Sequence, residues 1–195
     1  WKLANKKQLK LGGMSTSTPV VHNGRAYIGV SGTSQFGAYS GHNMTVVDLE
    51  SFSIAYTVPT QGYPQTSGLM TTGYDDGVYV YFMDNYTPGV MRVIHDAPGQ
   101  TALEGGVTEE FTSDKGVSGT YTDCAPVVFT PRGSLAQYCI GSPVTDEYGT
   151  LYFKNDSGNL IALTSAVREL KVAEEPEIAR TEDGQWEVTG GKIVA

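Results

Sequence analysis

One short phrase recurs three times along this chain: a small-residue or Pro-Val start, a glycine turn, then a strand carrying tyrosine. Its fullest form is Ser17-Thr18-Pro19-Val20-Val21-His22-Asn23-Gly24-Arg25-Ala26-Tyr27-Ile28-Gly29. A second form runs from Ser67-Gly68-Leu69-Met70 into Asp76-Gly77-Val78-Tyr79-Val80. The third is Ser142-Pro143-Val144-Thr145-Asp146-Glu147-Tyr148-Gly149-Thr150-Leu151-Tyr152-Phe153. A period of tens of residues built from short strands implies stacked sheets, none of which can bury its own faces alone. The expected fold class is therefore all-β.

The first unit reads as strands at Thr18–Val21, Arg25–Val30, Met44–Asp48 and Ile54–Val58, separated by turns. Four short antiparallel strands make one meandering sheet, and the closed arrangement of such sheets is a β-propeller of four-stranded blades. The 24 glycines and 12 tyrosines fit this reading, the first supplying turns and the second half-buried strand positions. Spacing is uneven, 53 positions from Gly24 to Gly77 and 72 from Gly77 to Gly149. The longer interval holds an insertion from about Glu104 to Tyr121, read as a long loop or an added hairpin. Asn155-Asp156-Ser157-Gly158-Asn159 is a hairpin turn before Leu160–Leu163. Residues 1–165 are assigned to roughly three to four blades, the first partial, so the ring is expected to be incomplete. Residues 166–195 form a tail, either a degenerate last blade or the start of a following domain. Within it Ser165–Glu174 is the one helical candidate, and Glu177–Arg180 pairs with Gln185–Val188 across Glu182-Asp183-Gly184.

A net charge of −8, with 13 dispersed Lys and Arg, excludes a phosphate backbone as the natural partner. No run approaches the ~20 apolar residues of a membrane helix. The chain starts at Trp1 without methionine and reads as a trimmed piece of something longer. Cys124 and Cys139 either close a disulfide loop, worth roughly 3 kcal/mol in an oxidising compartment, or lie apart as buried thiols.

Candidate chemistry is sparse. His22, His42 and His95 fall in separate stretches without metal-ligand spacing. The pairs Asp75-Asp76, Glu109-Glu110 and Glu174-Glu175 point to opposite faces of a strand, which makes them poor acid–base partners and better turn formers or solubilising charges. Asp84-Asn85 and Asp156 could ligate calcium together with turn carbonyls, but an Asx turn accounts for them equally. No other metal site and no cofactor is expected. The blade layout brings Phe36, Tyr39, His42, Tyr63, Asn85 and Tyr86 to one rim. There they either form an adaptable recognition surface or fill gaps between blades.

These phrases resemble the repeats of the PQQ-like (quinoprotein alcohol dehydrogenase-like) β-propellers, in which Ser-x-Pro-Val-Val leads to Gly-x-Val-Tyr-Val-Gly and then to a docking phrase Ala-x-Asp-x-x-Thr-Gly-x-x-x-Trp. Pro19, Gly24 and Tyr27 match the opening, as do Gly77 and Tyr79, and Pro143, Gly149 and Tyr152. Asp48 and Ser51 match the docking phrase, while Phe52 replaces its glycine and Tyr56 its tryptophan. His95 takes the place of the docking aspartate in the second unit, where a structural hydrogen bond to the turn is its expected role. An active quinoprotein would need calcium, a carboxylate base, a tryptophan platform and adjacent bonded cysteines. Cys124 and Cys139 are not adjacent, and Trp1 and Trp186 lie outside the best repeats. The resemblance therefore implies a non-catalytic binding or scaffold module of a bacterial secreted or cell-surface protein, with the periplasm as the alternative location. Its implied partners are a protein, a glycan or the cell wall, together with a second fragment or copy that completes the ring. A quinoprotein dehydrogenase fragment and a β-strand-capturing assembly scaffold are the competing functions.

Overall fold

The computed structural model describes residues 5–32, 41–73, 75–112, 118–164, 171–174, 177–180, 186–189 and 192–194. Among them the chain is all-β, with one 3-10 turn at Gly133–Leu135 as the sole helical element. No helix among these residues is long and apolar enough to cross a membrane. The chain divides into two compact units, Trp1–Ala162 and Leu163–Ala195.

The first sheet has the order β1 (Val20–His22), β2 (Arg25–Val30), β3 (Asn43–Asp48), β4 (Ser53–Pro59), an antiparallel meander. Asn23 and Gly24, at φ 45° and 74°, form the two-residue turn between β1 and β2. Positive φ at both central residues matches the twist of the flanking strands. At the β3–β4 corner the Asp48 carboxylate accepts hydrogen bonds from the Ser51 amide and hydroxyl, both at 2.8 Å. Phe52 follows at φ 53°, the left-handed conformation that the glycine of the docking phrase would adopt freely.

The second sheet is built differently. Its strands β5 (Leu69–Thr71), β6 (Val78–Met83) and β7 (Met91–Asp96) run in sequence. The chain then leaves as a hairpin of β8 (Val107–Thr112) and β9 (Ser118–Cys124). It returns as β10 (Val127–Phe129), which pairs with β7 and completes the order β10-β7-β6-β5. The insertion is thus a hairpin, placed between the third and fourth strands. A third sheet holds β11 (Val144–Thr145), β12 (Leu151–Lys154) and β13 (Leu160–Leu163).

In the C-terminal unit β14 (Lys171–Glu174) pairs with β17 (Lys192–Val194), and β15 (Glu177–Arg180) pairs with β16 (Trp186–Thr189). The second pairing is the anticipated hairpin. The helical candidate is overturned where it is described: Lys171–Glu174 is a strand, with Val172 opposite Ile193. A cross-strand partner outweighs the weak intrinsic preference of so short a segment. Residues 165–170 lie outside the described set.

The core lies between the first two sheets. Tyr27, Met44, Val46, Tyr56 and Val58 pack against Val78, Val80, Phe82 and Ile94, with Leu103 and Ala125 closing the cluster. Each such side chain contributes about 1.5–3 kcal/mol on burial. Two tyrosine hydroxyls enter this apolar layer and need a partner. Both donate to Asp96 at the end of β7, Tyr27 at 2.7 Å and Tyr56 at 2.6 Å. Burial and this carboxylate push both phenols far above their ordinary range. From the second sheet, Phe129 meets Phe153 of the third edge-on at 6.0 Å.

Two outcomes follow for this junction. Tyr27→Phe and Tyr56→Phe should each lower unfolding free energy by about 1.5–3 kcal/mol in urea titrations. The double variant should fall short of the sum, because both hydroxyls share one carboxylate. Since the folded phenols titrate above the unfolded ones, their contribution is complete below pH ~10 and is lost as pH rises beyond it. Phenolate absorbance should show these two rings ionising only as the protein unfolds.

Candidate functional site

The polar residues of interest gather where the first and second sheets meet the connection between them. That connection, residues 60–66, is wedged against the end of each sheet. A Cβ at Gly29 of β2 would lie 1.7 Å from the Pro64 carbonyl oxygen, and one at Gly62 would lie 2.2 Å from that of Asn85. Neither position has room for a side chain.

Asp84, the residue after β6, is completely buried. Its carboxylate accepts the backbone amides of Gln61 at 3.2 Å and Gly62 at 2.6 Å, and Arg92 Nε at 2.8 Å. Arg92 is itself fully buried on β7. Its Nη1 donates to Glu109 Oε1 at 3.0 Å and to the Ala125 carbonyl at 2.7 Å, and its Nη2 donates to Glu109 Oε2 at 2.8 Å. The guanidinium also lies 5.8 Å from the Phe111 ring centre. One cation is thereby shared by two carboxylates, and the planar fork of arginine supplies the geometry. Burial pushes the Asp84 carboxyl up to about 6, against the pull of Arg92 and the two amides. Burial also opposes the Arg92 charge, but Glu109 and Asp84 outweigh it and hold the guanidinium protonated.

Four of the six rim residues lie among the described residues, Asn85 and Tyr86 directly after Asp84 and Tyr63 directly after Gly62. His42 is stacked parallel to Tyr63, ring centres 6.1 Å apart. The Tyr63 hydroxyl accepts the Thr16 amide and lies 3.1 Å from Thr16 Oγ1. Asn85 is buried beside Gly62. Tyr86 is half-buried, its phenol pushed up to about 12, first by burial and then by the Asp84 charge. His42, Tyr63 and Asn85 thus lie inside the junction. Phe36 and Tyr39 lie outside the described residues.

Other candidates resolve into structural roles. Glu109 is no solubilising charge, since it closes the pair with Arg92 from inside β8. Asp75 turns the chain by accepting the Gly77 amide and the Tyr79 hydroxyl. His95 stacks on Tyr79 at 4.5 Å and reaches Asp75 at 3.3 Å. At the Asn155 turn it is the Asn155 side chain that accepts the Ser157 amide, at 3.1 Å, while Asp156 is exposed. The disulfide alternative is not realised: Cys124 and Cys139 are both free and buried. Cys139 donates to the Lys154 carbonyl at 3.3 Å, and Cys124 points to that of Tyr121 at 3.5 Å. Burial raises each thiol to about 11. Among the described residues no group of three or more His, Cys, Asp or Glu converges closely enough to hold a metal ion.

The Arg92 network had no signal in the sequence. A lone arginine in a strand looks like any other, and only the inserted hairpin, whose β8 carries Glu109, gives it a second carboxylate. No protein-family model matches the chain, and no curated protein matches it in sequence.

Arg92→Met should cost about 3–5 kcal/mol, because it leaves the buried Asp84 charge uncompensated. Glu109→Gln should cost less, since a quarter of that side chain remains in water. Equilibrium unfolding compares the two directly. Both thiols should resist Ellman's reagent in the native protein and react fully in denaturant, with no change in melting temperature on adding reductant.

Proposed function

We propose that this chain is a non-catalytic binding or scaffold segment of a PQQ-like β-propeller, from a bacterial secreted or cell-surface protein. The observation that carries the reading is the repeated sense of stacking. The tyrosine side of β2 faces the second sheet, where Tyr27 meets Asp96. On the second sheet Met83, Met91 and Phe129 lie in register on one side, and from that side Phe129 meets Phe153 of the third. The aliphatic side, with Val78, Val80 and Phe82, faces back toward the first. Two successive stackings in one sense support the reading of these sheets as blades of a ring.

The charged groups at the junction favour scaffold over catalyst. Arg92 is matched by Asp84 and Glu109, and Asp96 is engaged by two phenols, so each holds elements together. The loops on that end of the sheets, fastened by these bonds, are the surfaces we assign to a protein, glycan or cell-wall ligand. On the third sheet, Val144 pairs with Tyr152 and is 58% exposed, and Leu160 is 73% exposed. Aliphatic side chains so placed fit a sheet that takes another against it.

Native mass spectrometry tests the ring. A mass at least twice the 20.9 kDa of the chain, falling to that of one chain with Val144→Asp, is expected. A single-chain mass at every concentration would sink ring completion by a second copy.

A further inference from the structure

Residues 13–17 cross the end of the first sheet at which the 60–66 connection lies, and hydrogen bonds hold them there. The Met14 carbonyl accepts the Ser31 amide at 2.9 Å, Ser15 Oγ donates to the Gly29 carbonyl at 2.7 Å, and Ser17 Oγ donates to the Thr66 carbonyl at 2.9 Å. Between them the Thr16 amide donates to the Tyr63 hydroxyl. Tyr63, so capped, is 9% exposed and lies parallel to His42. Of the five covering residues only Ser17 is buried, and the one large apolar side chain, Met14, is 48% exposed. Hydrogen bonds of modest net worth therefore stand alone against the entropy of ordering this segment, whereas the sheets beneath add apolar burial. Such a balance marks an element that opens before the fold does. Gly12, at φ 84°, supplies a hinge without a Cβ. At the opposite end of the first sheet Lys7 Nζ lies 5.5 Å from the Phe52 ring centre, a mooring separate from residues 13–17. What lies under the segment keeps its own support, since Asp84 holds the Gln61 and Gly62 amides and Pro64 abuts Gly29.

We propose that residues 13–17 are a strap that lifts away between Gly12 and β1 and uncovers Tyr63, so that the Tyr63–His42 pair meets a ligand only in the open form. A ligand of that pair then binds with its intrinsic affinity reduced by the closed fraction, which makes the strap an autoinhibitory contact. That the strap guards a ligand site rests on the reading of this end of the sheets as the recognition surface. The opening itself is measured without any ligand, so the two can fail separately.

Native-state hydrogen exchange of the full chain in low urea tests the opening. The Thr16 and Ser31 amides, both bonded across the strap, should exchange at rates insensitive to urea, while Val46 in the core follows global unfolding. Gly13→Ala would place a Cβ 2.0 Å from the Gly32 carbonyl oxygen, a clash that pushes the strap outward. It should speed acetylation of Tyr63 by N-acetylimidazole, mapped by peptide mass, about tenfold, with the urea midpoint of the whole protein unchanged. Thr16→Pro, which removes the amide donor to Tyr63, should act alike. Equal urea dependence at Ser31 and Val46 would overturn the strap, as would unchanged Tyr63 acetylation in both variants. So would a midpoint that falls in step with acetylation, because residues 13–17 would then unfold only with the sheets. Each of these leaves the assignment of the ligand surface standing.

Discussion

A guanidinium stripped of water must have its N–H bonds met by the protein, and at Arg92 that demand organises everything near it. Three carbonyl or carboxylate groups answer it: Asp84 from the end of β6, Glu109 from β8 and Ala125 from the approach to β10. Each comes from a different piece of backbone. The cation therefore fixes the inserted hairpin, the return strand and, through Asp84, the connection that carries Tyr63. Desolvation of such a group is a penalty of several kcal/mol, so the network is weak evidence for high stability. Its clearer effect is on geometry, because any other placement of the hairpin would strand a charge.

The Asp96 site solves a smaller version of the same problem. Two phenols from one sheet converge on a carboxylate of the next, in a layer otherwise made of aliphatic and aromatic groups. Hydrophobic burial holds the sheets together without regard to direction. The four oxygen atoms, each phenol on its own carboxylate oxygen at 2.6–2.7 Å, permit one relative position. Apolar area supplies the attraction here, and the hydrogen bonds supply the registration.

The first sheet was legible because its signals are local. Alternating residues, the Asn23-Gly24 turn and the Asp48 corner each act over a few positions, and the strands fall within a residue or two of their expected ends. The second sheet hid its fourth strand. Pro126-Val127-Val128-Phe129 has the composition of a strand, but its partner β7 lies some thirty residues earlier, across a hairpin. Glu109 was misjudged for a related reason: alternation places it on one face of β8 without revealing what that face meets. At Lys171–Glu174 a pattern compatible with helix yields to a partner twenty residues downstream. For the rim residues, the sequence sets His42 before one strand, Tyr63 after another and Asn85 and Tyr86 after a third. It could not say that three of them would be buried, since burial depends on the 60–66 connection pressing Pro64 against Gly29 and Gly62 against Asn85.

The position of the β8–β9 hairpin has a consequence for how the chain acquires this structure. The first sheet needs only neighbours in sequence and is complete once Pro59 has left the ribosome. The second cannot close until Phe129 arrives, and its last pairing must bridge the whole insertion. Long loops raise the entropic barrier to such closure only slowly with length, and a hairpin that folds on its own shortens the effective gap. The inserted hairpin brings Cys124 and Ala125 back toward β7, so that a pairing distant in sequence is near in space.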